Sequence, residues 1–123
     1  MAKIVHFDIQ GEDPAKLIPF YEKAFGWKFS KCAPETCGGV DYWLIETGSK
    51  EEPGIGGGLS KTGEGPAVNT IGVENIDKAI EGTKANGGSI VNEKCHMPGV
   101  GWLAYFKDPQ GNTWGLIQEE KKE

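Results

Sequence analysis

Residues 106–112 have the sequence FKDPQGN, and residues 114–118 have the sequence WGLIQ. Aspartate, proline, glycine and asparagine crowded between two runs of aromatic and aliphatic residues are typical of a tight turn that joins two strands. The pattern therefore predicts a strand over residues 101–107, a turn over 108–112 and a final strand over 113–118.

Outward from this hairpin, the same order of elements occurs twice. Residues 12–13 (ED) correspond to residues 74–75 (EN), an offset of 62 positions. Alternating apolar residues predict strands, and apolar residues at helical spacing predict one helix in each half. The order is β-α-β-β-β in both halves: strands at 3–10, 27–32, 40–47 and 55–60 with a helix at 14–25, then strands at 67–74, 89–94, 101–107 and 113–118 with a helix after residue 75.

Each predicted helix has start and stop signals in the sequence. Asp13 followed by Pro14 is a preferred helix start, and Gly26 is a preferred stop. Asn75 is the expected N-cap of the second helix. Pro19 lacks a backbone donor inside the first helical run, so it is expected to kink the helix or fray its first turn.

The chain has 123 residues, which suits a single domain made of two modules, 1–62 and 63–123, joined by a linker at 63–66. A half of about 60 residues with one helix closes its own core poorly, whereas two packed copies close theirs well. No apolar run approaches the roughly 18 residues of a membrane span, and the start lacks the apolar stretch of a signal peptide. A soluble, cytoplasmic protein without membrane contact is expected.

The charge pattern narrows the class of partner. The chain carries 18 acidic residues against 13 lysines, for a net charge of −5, and it contains no arginine. Negative charge repels phosphate backbones, and arginine is the usual bidentate reader of phosphate and guanine. No nucleic-acid partner is expected, and a neutral or cationic small molecule is favoured as the ligand.

The three cysteines, Cys32, Cys37 and Cys95, are an odd count at spacings that match no zinc motif. We expect three reduced thiols rather than a disulfide framework. His96, beside Cys95, is expected in a solvated loop.

The doubled β-α-β-β-β order carries specific motifs: VHFDI at 5–9, EDP at 12–14, FYEKAFGW at 20–27, VENIDKA at 73–79 and the hairpin quoted above. Together they resemble the vicinal-oxygen-chelate superfamily, which contains the glyoxalase I, bleomycin-resistance and extradiol-dioxygenase proteins. The resemblance implies an α+β fold in which two βαβββ modules form an eight-stranded, open, barrel-like sheet around a cup, with the helices outside. It also implies a homodimer, in which modules can be exchanged between chains.

Metal-dependent members of this superfamily hold their metal at fixed strand positions. The resemblance places these positions at His6, near Gly57, at Val68 (or Asn69 in the neighbouring register) and at Gly115. Only His6 has the side chain of a metal ligand, while a catalytic metal needs about three. The chain therefore resembles a glyoxalase-related branch without the full set of ligands, and neither a metal nor another cofactor is expected.

His6 and Asp8 lie on one face of the first strand and are the predicted catalytic pair, because a carboxylate beside an imidazole orients it for acid–base work. An ordinary strand hydrogen bond and a solvated carboxylate are the simpler alternatives. His6, Trp43, Trp102 and Tyr105 are the predicted ligand contacts. Tryptophans more often fill cores than pockets, and alternation alone leaves open which strand face is turned inward, because both faces are apolar.

Three functions remain open on the sequence. The first is a metal-independent protein that binds a small organic molecule in an aromatic-lined cup. The second is a glyoxalase-related lyase or isomerase acting next to a carbonyl group, either with a metal or with His6 and Asp8 alone. The third is a partner-binding or regulatory module.

Overall fold

A computed structural model of the protein describes residues 2–33, 41–61 and 67–120. It confirms the predicted α+β class, with two βαβββ modules that supply eight strands of mixed direction and two helices. The predicted linker at 63–66, residue Cys37 and the start of the strand predicted at 40–47 lie outside the described residues. The elements are β1 (Lys3–Gln10), α1 (Pro14–Phe25), β2 (Lys28–Lys31), β3 (Tyr42–Glu46), β4 (Gly56–Ser60), β5 (Val68–Gly72), α2 (Ile76–Ala85), β6 (Ser89–Met97), β7 (Gly101–Lys107) and β8 (Thr113–Glu119).

The chain divides into two compact units. The N-terminal unit is His6–Ala67, and the C-terminal unit is Val68–Glu123 together with Met1–Val5. Strand β1 therefore contributes its first residues to one unit and its last residues to the other. The module boundary predicted after residue 62 stays a prediction, because residues 62–66 are not described.

The N-terminal unit has the strand order β2-β3-β4-β1. Strands β1 and β4 run parallel, and β4 continues through antiparallel β3 to β2. Helix α1 packs on one face through its aromatic residues: the Tyr21 ring stacks on Trp27 with centroids 5.1 Å apart, and Trp27 contacts Phe7 at 5.7 Å. On that same face Leu59 and Ile45 are buried.

Helix α1 begins at Pro14 and ends at Gly26, whose φ of 74° is the left-handed conformation that glycine adopts without strain. Asp13 precedes the helix but makes no side-chain cap bond. Pro19 lies inside the helix, which continues past it to Phe25. Pro19 therefore does not end the helix, and the expected kink or fraying of the first turn stays a prediction.

The C-terminal unit has the strand order β5-β8-β7-β6, with β5 parallel to β8 and the other pairs antiparallel. Helix α2 buries Ile76 against Ala104 and Leu116. The predicted N-cap is confirmed, since the Asn75 side chain accepts a hydrogen bond from the Lys78 backbone N–H at 3.0 Å.

Two expectations about the cysteine-bearing segments are wrong. Cys32 is disulfide-bonded, whereas Cys95 is free and exposed. A disulfide is unusual in the reducing cytosol, so the cytoplasmic location stays a prediction. Strand β6 continues to Met97 instead of ending at residue 94, because His96 pairs with Trp102 across the hairpin. His96 is therefore a strand residue and not a loop residue.

His96 also ties the end of β6 to the end of the chain. Its Nε2 atom is hydrogen-bonded to the Glu120 carboxylate, which accepts a second bond from the Gly99 backbone N–H at 3.0 Å. The bond from His96 lowers the pKa of Glu120 below its ordinary value of 4.5; partial desolvation acts in the opposite sense, and the bond from Gly99 lowers the pKa further.

A carboxyl group with a lowered pKa in the folded state stabilises the protein above its ordinary pKa, and this stabilisation is lost as the pH falls through the folded-state value. Glu120→Gln should therefore lose less stability than the wild type on acidification below pH 4.5. Urea-unfolding midpoints of both proteins over the acidic range measure this difference. Glu119→Gln is the matched control, and equal acid profiles for the wild type and Glu120→Gln would contradict the prediction.

Candidate functional site

His6, Asp8 and Tyr42 form a polar cluster in the N-terminal unit. The Tyr42 hydroxyl donates to Asp8 Oδ1 at 2.7 Å. His6 Nε2 lies 3.3 Å from Asp8 Oδ1 and 3.3 Å from the Tyr42 oxygen. The side chains of His6 and Asp8 keep 31% and 24% of their surface exposed, so a small molecule can reach them.

The hydrogen-bond pattern assigns the tautomer of His6 in its neutral form. Tyr42 has one hydroxyl proton and gives it to Asp8, so both atoms that face His6 Nε2 are acceptors. The proton of a neutral imidazole must then reside on Nε2, which leaves the basic lone pair on Nδ1. The Asp8 carboxylate is therefore arranged to orient the His6 imidazole.

Tyr42 reaches this cluster because strand β4 has no side chains in its path. Tyr42 is on β3, with β4 between it and Asp8 on β1. A Cβ atom placed on Gly58 would lie 1.5 Å from the Tyr42 hydroxyl oxygen. On the other face, a Cβ atom on Gly57 would lie 2.6 Å from the Phe7 ring. Both glycines are thus required by neighbouring aromatic rings.

Strand register separates the two faces of the N-terminal unit. His6 pairs with Gly56 and Asp8 with Gly58, so these four residues share a face with Tyr42. The opposite face carries the apolar residues that pack beside helix α1. Within this unit the polar cluster therefore occupies the face away from helix α1.

The predicted ligand contact Trp43 lies on the helix side. It pairs with Leu59, which is fully buried, and the Lys31 ammonium group lies 5.3 Å from the centroid of its ring. The structure does not bring Trp43 together with His6, and its role as a ligand contact stays a prediction.

The other two predicted contacts, Trp102 and Tyr105, lie on opposite faces of β7 in the C-terminal unit. Trp102 packs on the helix-side core and also lines an open depression of about 900 Å³ with Val5 and Ile117. Tyr105 lies over Gly115, where an added Cβ atom would come within 3.2 Å of its ring. Both roles in ligand binding stay predictions.

The residues present do not fit the metal site of the metal-dependent relatives. The register places Gly56, and not Gly57, on the face of His6. Either position is a glycine, as is Gly115, and Val68 is apolar, so His6 is left without the partner ligands. Within residues 2–33, 41–61 and 67–120, no group of three or more His, Cys, Asp or Glu side chains could hold a metal ion.

Tyr42 is the member of the polar cluster that the sequence did not reveal. Alternation gives no sign that its hydroxyl crosses a neighbouring strand. The signal lay in the glycine run at 56–58, because consecutive glycines in a strand indicate that another group lies close to the backbone.

Residues 3–116 match the sequence model of the Glyoxalase/Bleomycin resistance protein/Dioxygenase superfamily. The chain belongs to this superfamily, as the motifs in its sequence predicted. No protein of curated function matches the chain by sequence.

Solved structures share the fold at low sequence identity. The hypothetical protein BH1468 from Bacillus halodurans C-125 is 19% identical, with a TM-score of 0.71 over 99% of this chain and 97% of that one. A methylmalonyl-CoA epimerase in complex with methylmalonyl-CoA and NH4+ is 16% identical, with a TM-score of 0.71 over 100% and 98%. A Streptomyces coelicolor methylmalonyl-CoA epimerase variant in complex with 2-nitronate-propionyl-CoA is 15% identical, with a TM-score of 0.70 over 97% and 98%.

Neither helix in the described part of the chain is both long enough and apolar enough to cross a membrane.

Replacing Gly58 tests whether the bare strand is needed for the cluster. Gly58→Ala places a methyl group where the Tyr42 hydroxyl lies, so Tyr42 must leave Asp8. We expect a loss of about 1–3 kcal/mol in the free energy of unfolding, measured by urea denaturation. Gly82→Ala in helix α2 is the control: its added Cβ meets nothing within 4 Å, so it should stabilise by up to about 1 kcal/mol. Equal effects of the two substitutions would refute this explanation.

Proposed function

We propose that the protein binds a small organic molecule on the polar face of the N-terminal unit and transfers a proton at a carbon atom next to a carbonyl group. The observation that carries this proposal is the His6–Asp8–Tyr42 cluster, which combines a histidine base, an orienting carboxylate and a phenol within hydrogen-bond distance. Partial exposure of His6 and Asp8 gives the ligand access to them.

Each residue has a definite role in this reaction. Nδ1 of His6 takes the proton, and the electron pair of the broken C–H bond moves onto the carbonyl oxygen to give an enolate. The negative charge of Asp8, 3.3 Å from Nε2, stabilises the imidazolium that forms. Tyr42 holds Asp8 in position through its hydroxyl. Return of the proton from Nδ1 to carbon completes an isomerisation or an exchange.

The residues also indicate which carbonyl compounds are suitable. The donor set does not fit a divalent metal that would stabilise an enolate, so the substrate itself must spread the charge. An enolate delocalised over two carbonyl oxygens does so, which favours 1,3-dicarbonyl compounds. The net charge of −5 favours a neutral or cationic ligand. The likeness in fold to methylmalonyl-CoA epimerases, whose name describes inversion at a carbon centre, also supports the proposal.

Dimethyl methylmalonate in D2O is a suitable probe, because exchange of its single α-proton collapses the methyl doublet in the proton NMR spectrum. We expect the protein to accelerate this exchange and His6→Gln to slow it on the order of 100-fold. Asp8→Asn and Tyr42→Phe should each slow it by less, since both residues act through His6. His96→Gln is the control and should exchange the probe like the wild type.

The outcomes separate two of the three functions that the sequence left open. No acceleration over buffer, or His6→Gln as fast as the wild type, would refute the proton transfer. Binding of the diester without exchange would instead favour the second candidate, a protein that binds a small molecule and performs no chemistry. The exposed position of the polar face is the observation that supports this candidate.

We also propose that two chains associate as a homodimer. The support is on helix α1, where Phe20 and Phe25 are 56% and 63% exposed, since large exposed apolar side chains often mark interfaces. Sedimentation equilibrium should give twice the mass of the chain, and Phe25→Lys should shift the protein toward the monomer. Lys23→Glu, an exposed change on the same helix, is the control; a monomeric wild type would refute the dimer.

A further inference from the structure

The three consecutive glycines of strand β4 are not equivalent. The Phe7 ring covers Gly57, and the Tyr42 ring covers Gly58, so that a Cβ atom at either position would overlap a neighbouring aromatic side chain. A Cβ atom on Gly56 would meet the Ile45 carbonyl oxygen at 3.4 Å, and no other atom of the described residues lies within 4 Å. Packing within the described protein therefore explains two of the glycines and leaves Gly56 unexplained.

Backbone conformation does not explain Gly56 either. The glycines with a positive φ in the described residues are Gly26, Gly87, Gly99, Gly101 and Gly111, and Gly56 is not among them. Any residue could adopt its backbone geometry. Gly56 is the first residue of β4, and the register of β4 with β1 and β3 has no bulge. A glycine in a strand often marks a bulge, a bend or a close approach by a ligand or another backbone, and of these a close approach fits Gly56.

The open space over Gly56 lies beside the proposed base. Gly56 pairs directly with His6 on β1, and paired residues point to the same face. Neighbouring strands in a sheet lie about 5 Å apart. A ligand group resting on the Gly56 backbone is therefore within reach of the His6 imidazole.

We infer that Gly56 is the floor of the substrate subsite and limits the size of the group carried by the reacting carbon. This inference rests on the proposed function, since it places the substituent of that carbon over Gly56 and the C–H bond toward His6. Leu44, 50% exposed on the same face, pairs with Gly58, two residues farther along β4, and offers an apolar contact to a substituent long enough to reach it. The ligand class is a neutral 1,3-dicarbonyl compound with an alkyl group at the central carbon.

Substitution of Gly56 fills the subsite without disturbing the cluster. An alanine Cβ at this position makes only ordinary contact at 3.4 Å, whereas it would collide with Tyr42 at Gly58. Gly56→Ala and Gly56→Val should therefore fold normally, and the Tyr42–Asp8 bond should persist. A slowly exchanging Tyr42 hydroxyl proton in the NMR spectrum of each variant would show that the bond persists. Loss of that signal would show that the bond is broken.

The experiment uses three diesters that differ only in the central substituent: dimethyl methylmalonate, dimethyl ethylmalonate and dimethyl butylmalonate. Exchange of the α-proton gives the rate, and shifts of the Gly56 and His6 backbone amides give the binding. For each protein we compare the exchange rate of the butyl compound with that of the methyl compound. This ratio should be about 10-fold or more lower in Gly56→Val than in the wild type. Gly82→Ala, on helix α2 of the C-terminal unit, is the control and should leave the order of rates unchanged.

The outcomes distinguish this inference from the proposed function. Exchange that depends on His6 but is insensitive to Gly56→Val overturns the inference and leaves the proposed function intact. If a diester binds at Gly56, loses this binding in Gly56→Val and undergoes no exchange, the result supports the subsite and refutes the proposed proton transfer. Amide shifts centred away from Gly56 and His6, or no binding of any diester, overturn the inference.

Discussion

The N-terminal unit depends on a strand that presents no side chains over three successive residues, Gly56–Gly58. An ordinary β-strand would place residues on both of its faces and keep its neighbours apart. Here Phe7 crosses one face and Tyr42 crosses the other. The apolar layer under helix α1 and the polar cluster are consequences of the same bare backbone.

This arrangement assigns apolar packing to one face of the strands and the polar cluster to the other. Because side chains alternate along a strand, His6 and Asp8 point away from the helix while Phe7, between them, points toward it. The carboxylate, the phenol and the imidazole can therefore interact without disturbing the buried layer. The direction of the Tyr42 hydroxyl bond toward Asp8 then determines which nitrogen of His6 can act as a base.

The sequence predicted the order of the elements, the cap at Asn75 and the stop at Gly26, because these depend on local propensity and periodicity. It did not reveal which face of the strands lies under helix α1 and which lies away from it. Apolar residues occur at alternating positions on both faces, and only the position of helix α1 distinguishes the two. The contact of Tyr42 with Asp8 spans 34 positions and an intervening strand. The disulfide of Cys32 was missed because an odd number of cysteines says nothing about which of them pair.

The two helices differ in how well their own sequences support them. Helix α2 has a side-chain cap at Asn75, an acidic residue in its first turn and a basic one in its last, whereas α1 has no side-chain cap and contains Pro19. Opening of α1 therefore costs less free energy, and its amide protons exchange with solvent sooner than those of α2.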